Sequence, residues 1–184
     1  MRRLRFRYRL PPRHHSVHQS KKPLMNEDPS GPPPAISFLI FFSMVAAVAV
    51  IGSFFSPGQW YASLVKPPLT PPNWIFGPVW TTLYLLIAIA GWQIWELKRW
   101  PDALRPLGIW WVQLILNCLW SWLFFGLHQP KLAFVAIIVL WVSILANVIV
   151  FGEIKPSAGL LLVPYLCWVG FAGWLNFMFW QLNP

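Results

Sequence analysis

Two side-chain amides, an indole and a phenyl ring recur at intervals of four, three and four residues in the third long apolar run of the chain: Gln113, Asn117, Trp120 and Phe124. That spacing puts them on one stripe of an α-helix. The second run repeats the pattern with Trp80, Tyr84, Ile87 and Gly91, and the fifth with Tyr165, Trp168, Ala172, Leu175 and Asn176. Convergent rings with a few neutral hydrogen-bonding groups suit a large, flat, mostly apolar ligand, and Ala172 leaves room that a larger side chain would fill. The same residues also suit plain interhelical packing, in which each buried amide contributes about 0.6–2 kcal/mol. On these residues alone both readings stay open.

Other chemistry lacks its apparatus. No Asp, Glu, Lys, Arg or His falls in the middle of an apolar run; Glu96, Asp102 and Glu153 lie at the ends or between runs. Proton relays and ion pathways rest on charged groups inside the membrane, so the pattern argues against an ion-coupled pump. Paired carboxylates and a Ser-His-Asp set are missing too, which leaves conventional acid–base or nucleophilic hydrolysis without residues. Cys118 and Cys167 sit inside apolar runs and read as small buried hydrophobes, while His14, His15, His18 and His128 are in the tail or a loop, so no metal site is expected.

The elements that must position these stripes are membrane spans. The chain is 57% hydrophobic and 10% charged over 184 residues, against about 25% charged in soluble domains. A bilayer core needs roughly 20 apolar residues per helix, and five such helices are expected at about 36–55, 78–97, 106–127, 131–151 and 157–180. Short connections, such as His128-Gln129-Pro130, make consecutive helices antiparallel. The fold class expected is therefore all-α: a five-helix membrane bundle occupying residues 35–184. Ser43 with Ala47 and Ala49 with Ser53 suit close contacts of the first helix, and Gly170 and Gly173 those of the fifth. Pro164 should bend the fifth helix and free the Leu160 carbonyl inside the protein. Trp60, Trp74, Trp100, Trp110, Trp111 and Trp180 lie near span ends, where an interfacial belt accounts for them.

Between the first two spans, Trp60 to Trp80 cannot cross a membrane. Pro67, Pro68, Pro71 and Pro72 fall within six residues, which enforces an extended, polyproline-like arm. Trp60, Tyr61 and Leu64 precede it at helical spacing as one short turn, and Pro78 follows where a first helical turn tolerates proline. The segment reads as a stiff aromatic lid over one mouth of the bundle.

Residues 1–34 form a basic tail, with Arg2, Arg3, Arg5, Arg7, Arg9, Arg13, Lys21 and Lys22 against Glu27 and Asp28. It is expected to be disordered and to meet anionic headgroups or set topology; no nucleic-acid-binding module accompanies it. A targeting presequence, a cytoplasmic extension, or a start at Met25 would each account for it. In the whole chain only Lys66 and Lys131 fall on the side of the lid. The positive-inside rule then puts the N-terminus inside and the lid and C-terminus outside.

The runs WYASLVKPPLTPPNW (60–74), GPVWTTLY (77–84), LNCLWSWLFFG (116–126) and PYLCWVGFAGWLN (164–176) closely resemble the translocator protein family, also called tryptophan-rich sensory proteins or peripheral benzodiazepine receptors. The resemblance covers about residues 36–182 and implies a five-helix bundle, often a homodimer, that binds porphyrins, sterols and synthetic ligands beneath the first loop. It places pocket residues at Gly77, Val79, Trp80, Asn117, Trp120, Trp168, Ala172 and Leu175, with Tyr61 as the lid tyrosine; Tyr84 joins them from the stripe of the second run. No obligatory cofactor is expected, and a bacterial cell membrane is expected rather than an organelle membrane. Some bacterial relatives are implicated in light- and oxygen-dependent porphyrin breakdown, which makes Trp80 the candidate catalytic residue. The sterol pattern wants a tyrosine and then a base late in the fifth helix, where LNFMFWQ supplies Phe177 and Gln181. Leu69 replaces a common tryptophan, and Ala136 an acid. Tetrapyrrole is thus the ligand expected, ahead of sterol.

Overall fold

The computed structural model describes residues 32–55, 57–98 and 100–184. The basic tail, with the expectations attached to it, lies outside them apart from its last three residues. The elements are α1 (Pro34–Ser53), α2 (Gln59–Ser63), α3 (Asn73–Lys98), α4 (Leu104–Ser121) running on into a π turn (Trp122–Gly126), α5 (Pro130–Ile154) and α6 (Pro156–Leu182). All but the five-residue α2 are long and apolar enough to cross a bilayer, so the expected five spans are present. Prolines start three of them: Pro34, Pro130 and Pro156 occupy the first helical turn, where the N–H that proline lacks would have no partner anyway.

Going round the bundle, α1 packs on α3, α3 on α6, α6 on α5, α5 on α4, and α4 returns to α1. The outward faces are hydrocarbon, with Ile115, Val135, Val142 and Leu160 all more than half exposed, as lipid-facing positions require. The closest approach is between α5 and α6. A Cβ placed on Gly159 would stand 2.7 Å from the Val148 carbonyl oxygen and 2.8 Å from the Gly152 Cα, so backbone meets backbone there and only glycine fits.

Several expectations are corrected. α3 begins at Asn73, and Pro78 lies inside it. The start is set upstream, where Ile75 N–H donates to the Pro72 carbonyl and Pro71-Pro72 prevents extension further back. The connection from α5 to α6 shrinks to Lys155 alone. Trp110 is no belt residue: it is fully buried, and its Nε1 donates to the Ile87 carbonyl at 3.0 Å. Gly91 makes room for it, since a Cβ there would lie 2.8 Å from the indole. Ser43 and Ala47 point outward, Cys167 is exposed and Cys118 half-buried. Leu160 and Pro164 are both exposed, so any carbonyl freed by Pro164 belongs to the outward face.

Candidate functional site

At the end of the bundle where α2 lies, the last turns of α1, the first turns of α3 and the end of α4 surround a cavity of about 310 Å³. Small residues of α1 make the space: Ala49, Gly52 and Ser53 line one wall. From α3 come Phe76, Gly77, Trp80 and Tyr84, which recur at helical spacing, and from α4 come Trp120, Ser121 and Phe125. The π turn matters here. Its extra residue per turn closes with Leu127 N–H donating to the Trp122 carbonyl at 2.8 Å. With it Phe124 is buried, while its neighbour Phe125 lines the cavity.

Beneath the cavity runs a chain of neutral hydrogen bonds. The Tyr84 hydroxyl donates to Asn117 Oδ1 at 3.2 Å, and Asn117 Nδ2 donates to the Tyr165 hydroxyl oxygen at 3.2 Å. Trp120 Nε1 donates to Asn176 Oδ1 at 3.0 Å, and Asn176 Nδ2 to the Pro130 carbonyl at 2.7 Å. These bonds hold α3, α4, α5 and α6 in one register, and buried polar groups so paired are stable where water is absent. The Trp80 ring lies 5.3 Å from Tyr84 and 6.2 Å from Tyr165.

The lid closes this end. Tyr61 is buried against Phe125 and Phe179, with the Lys66 ammonium 5.1 Å from its ring centroid. Burial pushes its phenol above the ordinary tyrosine range, so the ring enters the cavity neutral. Trp60 stacks on His128, in the α4–α5 turn, at 4.3 Å. At the tip Leu69 takes φ 68°, an uncommon backbone for a residue with a Cβ, and Thr70 N–H closes the turn onto the Pro67 carbonyl. The arm is tied at its other end by Asn183, beyond α6: Val65 N–H donates to Asn183 Oδ1 at 2.9 Å, and Asn183 Nδ2 donates to the Val65 carbonyl at 3.1 Å. An amide here imitates a strand partner. Asn183→Ala removes both bonds, each contributing about 0.5–1 kcal/mol, so the Val65, Lys66 and Leu69 amides should exchange with deuterium roughly five- to thirtyfold faster. Mass-spectrometric hydrogen exchange of the arm peptide measures this, and unchanged rates would show that Asn183 does not hold it.

Residues 40–181 match the model of the TspO/MBR family. The chain belongs to that family. It is 46% identical over 142 residues to a tryptophan-rich protein TspO of Archaeoglobus fulgidus, covering 76% of this chain and 92% of that protein. It is 40% identical over 148 residues to protein CrtK of Rhodobacter capsulatus (80% and 92%), and 39% identical over 155 residues to the translocator protein of Bos taurus (82% and 90%).

Within this TspO/MBR bundle, Tyr61, Gly77, Trp80, Tyr84 and Trp120 of the expected site meet at the cavity. Asn117 stands one hydrogen bond behind it. The others lie elsewhere: Val79 is half-buried against the core, and Trp168, Ala172 and Leu175 of α6 line no part of this cavity. Trp168 reaches it at second hand, its ring 5.9 Å from Phe76. Sequence reasoning missed the contribution of α1. Ala49 and Ser53 were legible as small residues suited to helix contact, and the same smallness leaves a hollow once no helix fills it.

Proposed function

We propose that this TspO/MBR protein is a membrane receptor whose lidded cavity takes a porphyrin, in a sensory or transport-linked role. The observation that carries the reading is the cavity itself: Trp80, Trp120, Phe76 and Phe125 surround a hollow that Tyr61 roofs and Tyr84 ends in a hydroxyl. Flat rings stack on a conjugated macrocycle, and the few neutral polar groups orient it. At about 310 Å³ the hollow sits at the small end of the roughly 300–1,000 Å³ typical of ligand sites, so a macrocycle enters partly and the arm lifts over the remainder. By the charge bias the lid faces outward and the N-terminus inward, with a bacterial cell membrane as the setting.

Titration of purified protein with protoporphyrin IX, following tryptophan quenching, tests it. Saturable quenching is expected; Trp80→Ala should weaken binding strongly, and Trp168→Ala, which acts only through Phe76, should weaken it less. Equal affinity in wild type and both variants would exclude this cavity.

A second reading is favoured by the placement of Trp80 beside Tyr84 and, through Asn117, Tyr165. In this reading the indole beside that relay gives an electron to the light-excited porphyrin, which passes it to dioxygen; the macrocycle then returns an electron to the indole radical, and the resulting porphyrin radical combines with the superoxide and opens. Illuminated protein should then bleach the porphyrin Soret band several-fold faster than a Trp80→Phe variant that binds equally well. Matching rates would leave a receptor without catalysis.

A further inference from the structure

We infer that Gln113 of α4 and Asn147 of α5 hold a small cluster of water, about two molecules, between them in the middle of the bundle. Both side chains are buried, at 1% and 0% exposure, and neither the nitrogen nor the oxygen of either amide has a hydrogen-bond partner among the described residues. The other interior amides differ. Asn117 and Asn176 use both ends, each accepting one bond and donating another. A buried amide left unbonded on nitrogen and oxygen alike is costly in an apolar interior, and two of them point to an occupant that serves both.

Helix register brings the pair to one level. Asn117 Nδ2 donates to the Tyr165 hydroxyl, which places those residues at about one depth. On α5 the Trp141 indole faces Gly170 and the Val148 carbonyl faces Gly159; Tyr165 lies about halfway between the two glycines, level with Ile144. Gln113 is one turn before Asn117, and Asn147 about one turn after Ile144. Because α4 ends and α5 begins beside the lid, both steps lead away from it and finish together. Gln113 belongs to the buried stripe of α4, and Asn147 to that of α5 with Leu140, Ile144 and Phe151.

The donor set names the occupant. Each amide presents N–H donors and a carbonyl acceptor, so the group between them must both donate and accept, and water is the smallest that does. One water accepting from Gln113 Nε2 and donating to Asn147 Oδ1, with another joined the opposite way, satisfies every unpaired amide atom. A metal cation needs about six oxygen ligands and an offsetting charge. Two neutral amides supply neither, and no cluster of His, Cys, Asp or Glu among the described residues could hold one. The waters lie one turn beyond the Tyr84–Asn117–Tyr165 relay and tie α4 to α5 there. This site stands independently of the porphyrin reading, since neither residue lines the lidded cavity.

Crystals of the full chain grown from a lipid mesophase and diffracting to about 2 Å test it directly. Ordered water should lie about 2.7–3.2 Å from side-chain nitrogen or oxygen atoms of both residues; amides bonded straight to each other or to other protein groups, with no water between them, would overturn the proposal. Melting temperatures test the coupling. Asn147→Leu leaves Gln113 short of a bridge and should melt roughly 3–8 °C lower, whereas adding Gln113→Met, which matches glutamine in length, removes the demand for water and should recover most of that loss. A double variant whose fall equals the sum of the two single ones would mean independent amides, which also overturns it. Gln113→Leu replaces the methionine should the first pair fold poorly.

Discussion

Gly159→Ala is expected to lower stability by about 3 kcal/mol, although it adds a single methyl group and improves helix propensity. The added Cβ would stand 2.7 and 2.8 Å from backbone atoms of α5, and backbone cannot rotate aside as a side chain does. α5 and α6 would have to separate along the most extensive helix pair of the bundle. The control is Gly152→Ala, on the facing helix, where a Cβ meets nothing within 4 Å; it should be neutral or stabilising by up to about 1 kcal/mol. Scanning fluorimetry of the intrinsic tryptophans in detergent reads both. A fall of roughly 6–12 °C for the first is the result expected for a chain of this size, with no fall for the second. Two equally mild variants would mean that the α5–α6 spacing is looser than described.

Trp80→Ala is expected to weaken protoporphyrin IX by about 10–100-fold, or roughly 1.5–3 kcal/mol. The ring lines the cavity, and its indole N–H has no hydrogen-bond partner among the described residues, so truncation orphans nothing and the loss reads as lost contact. Trp120→Ala makes the contrast. It would also strand Asn176 Oδ1, which accepts from Trp120 Nε1, and should lower stability by about 1–3 kcal/mol as well as affinity. A calorimetric titration beside an unfolding curve separates the two effects; Trp80→Ala that loses stability without losing affinity would assign the ring to packing.

Much of this was legible in the chain. Runs of about 20 apolar residues declare spans whatever their partners, and the stripe Gln113, Asn117, Trp120 and Phe124 is buried throughout, as its spacing indicated. What escaped depends on three dimensions or on local backbone competition. Pro78 reads as a helix start, but Pro71-Pro72 claim that place first. Trp110 lies close to a span end and reads as an interfacial anchor, yet the glycine at 91 on another helix gives its ring a socket. The π turn leaves no periodic trace, since one extra residue in WLFFG looks like ordinary aromatic richness. Trp168 and Tyr165 share a helix face and yet neither lines the cavity, whose wall there is the Phe76 ring, 5.9 Å from Trp168; a periodicity argument cannot see a neighbour's ring.

The neutral interior has an electrical consequence. Moving one elementary charge through a membrane potential of 100 mV changes the energy by about 2.3 kcal/mol, which is how voltage drives conformational change. The middles of all five spans carry no such charge, and the bonds joining Tyr84, Asn117 and Tyr165 are between uncharged groups. Rearrangement of these helices therefore displaces almost no gating charge, and the porphyrin binding proposed for the lidded cavity should have the same affinity in energised and depolarised vesicles.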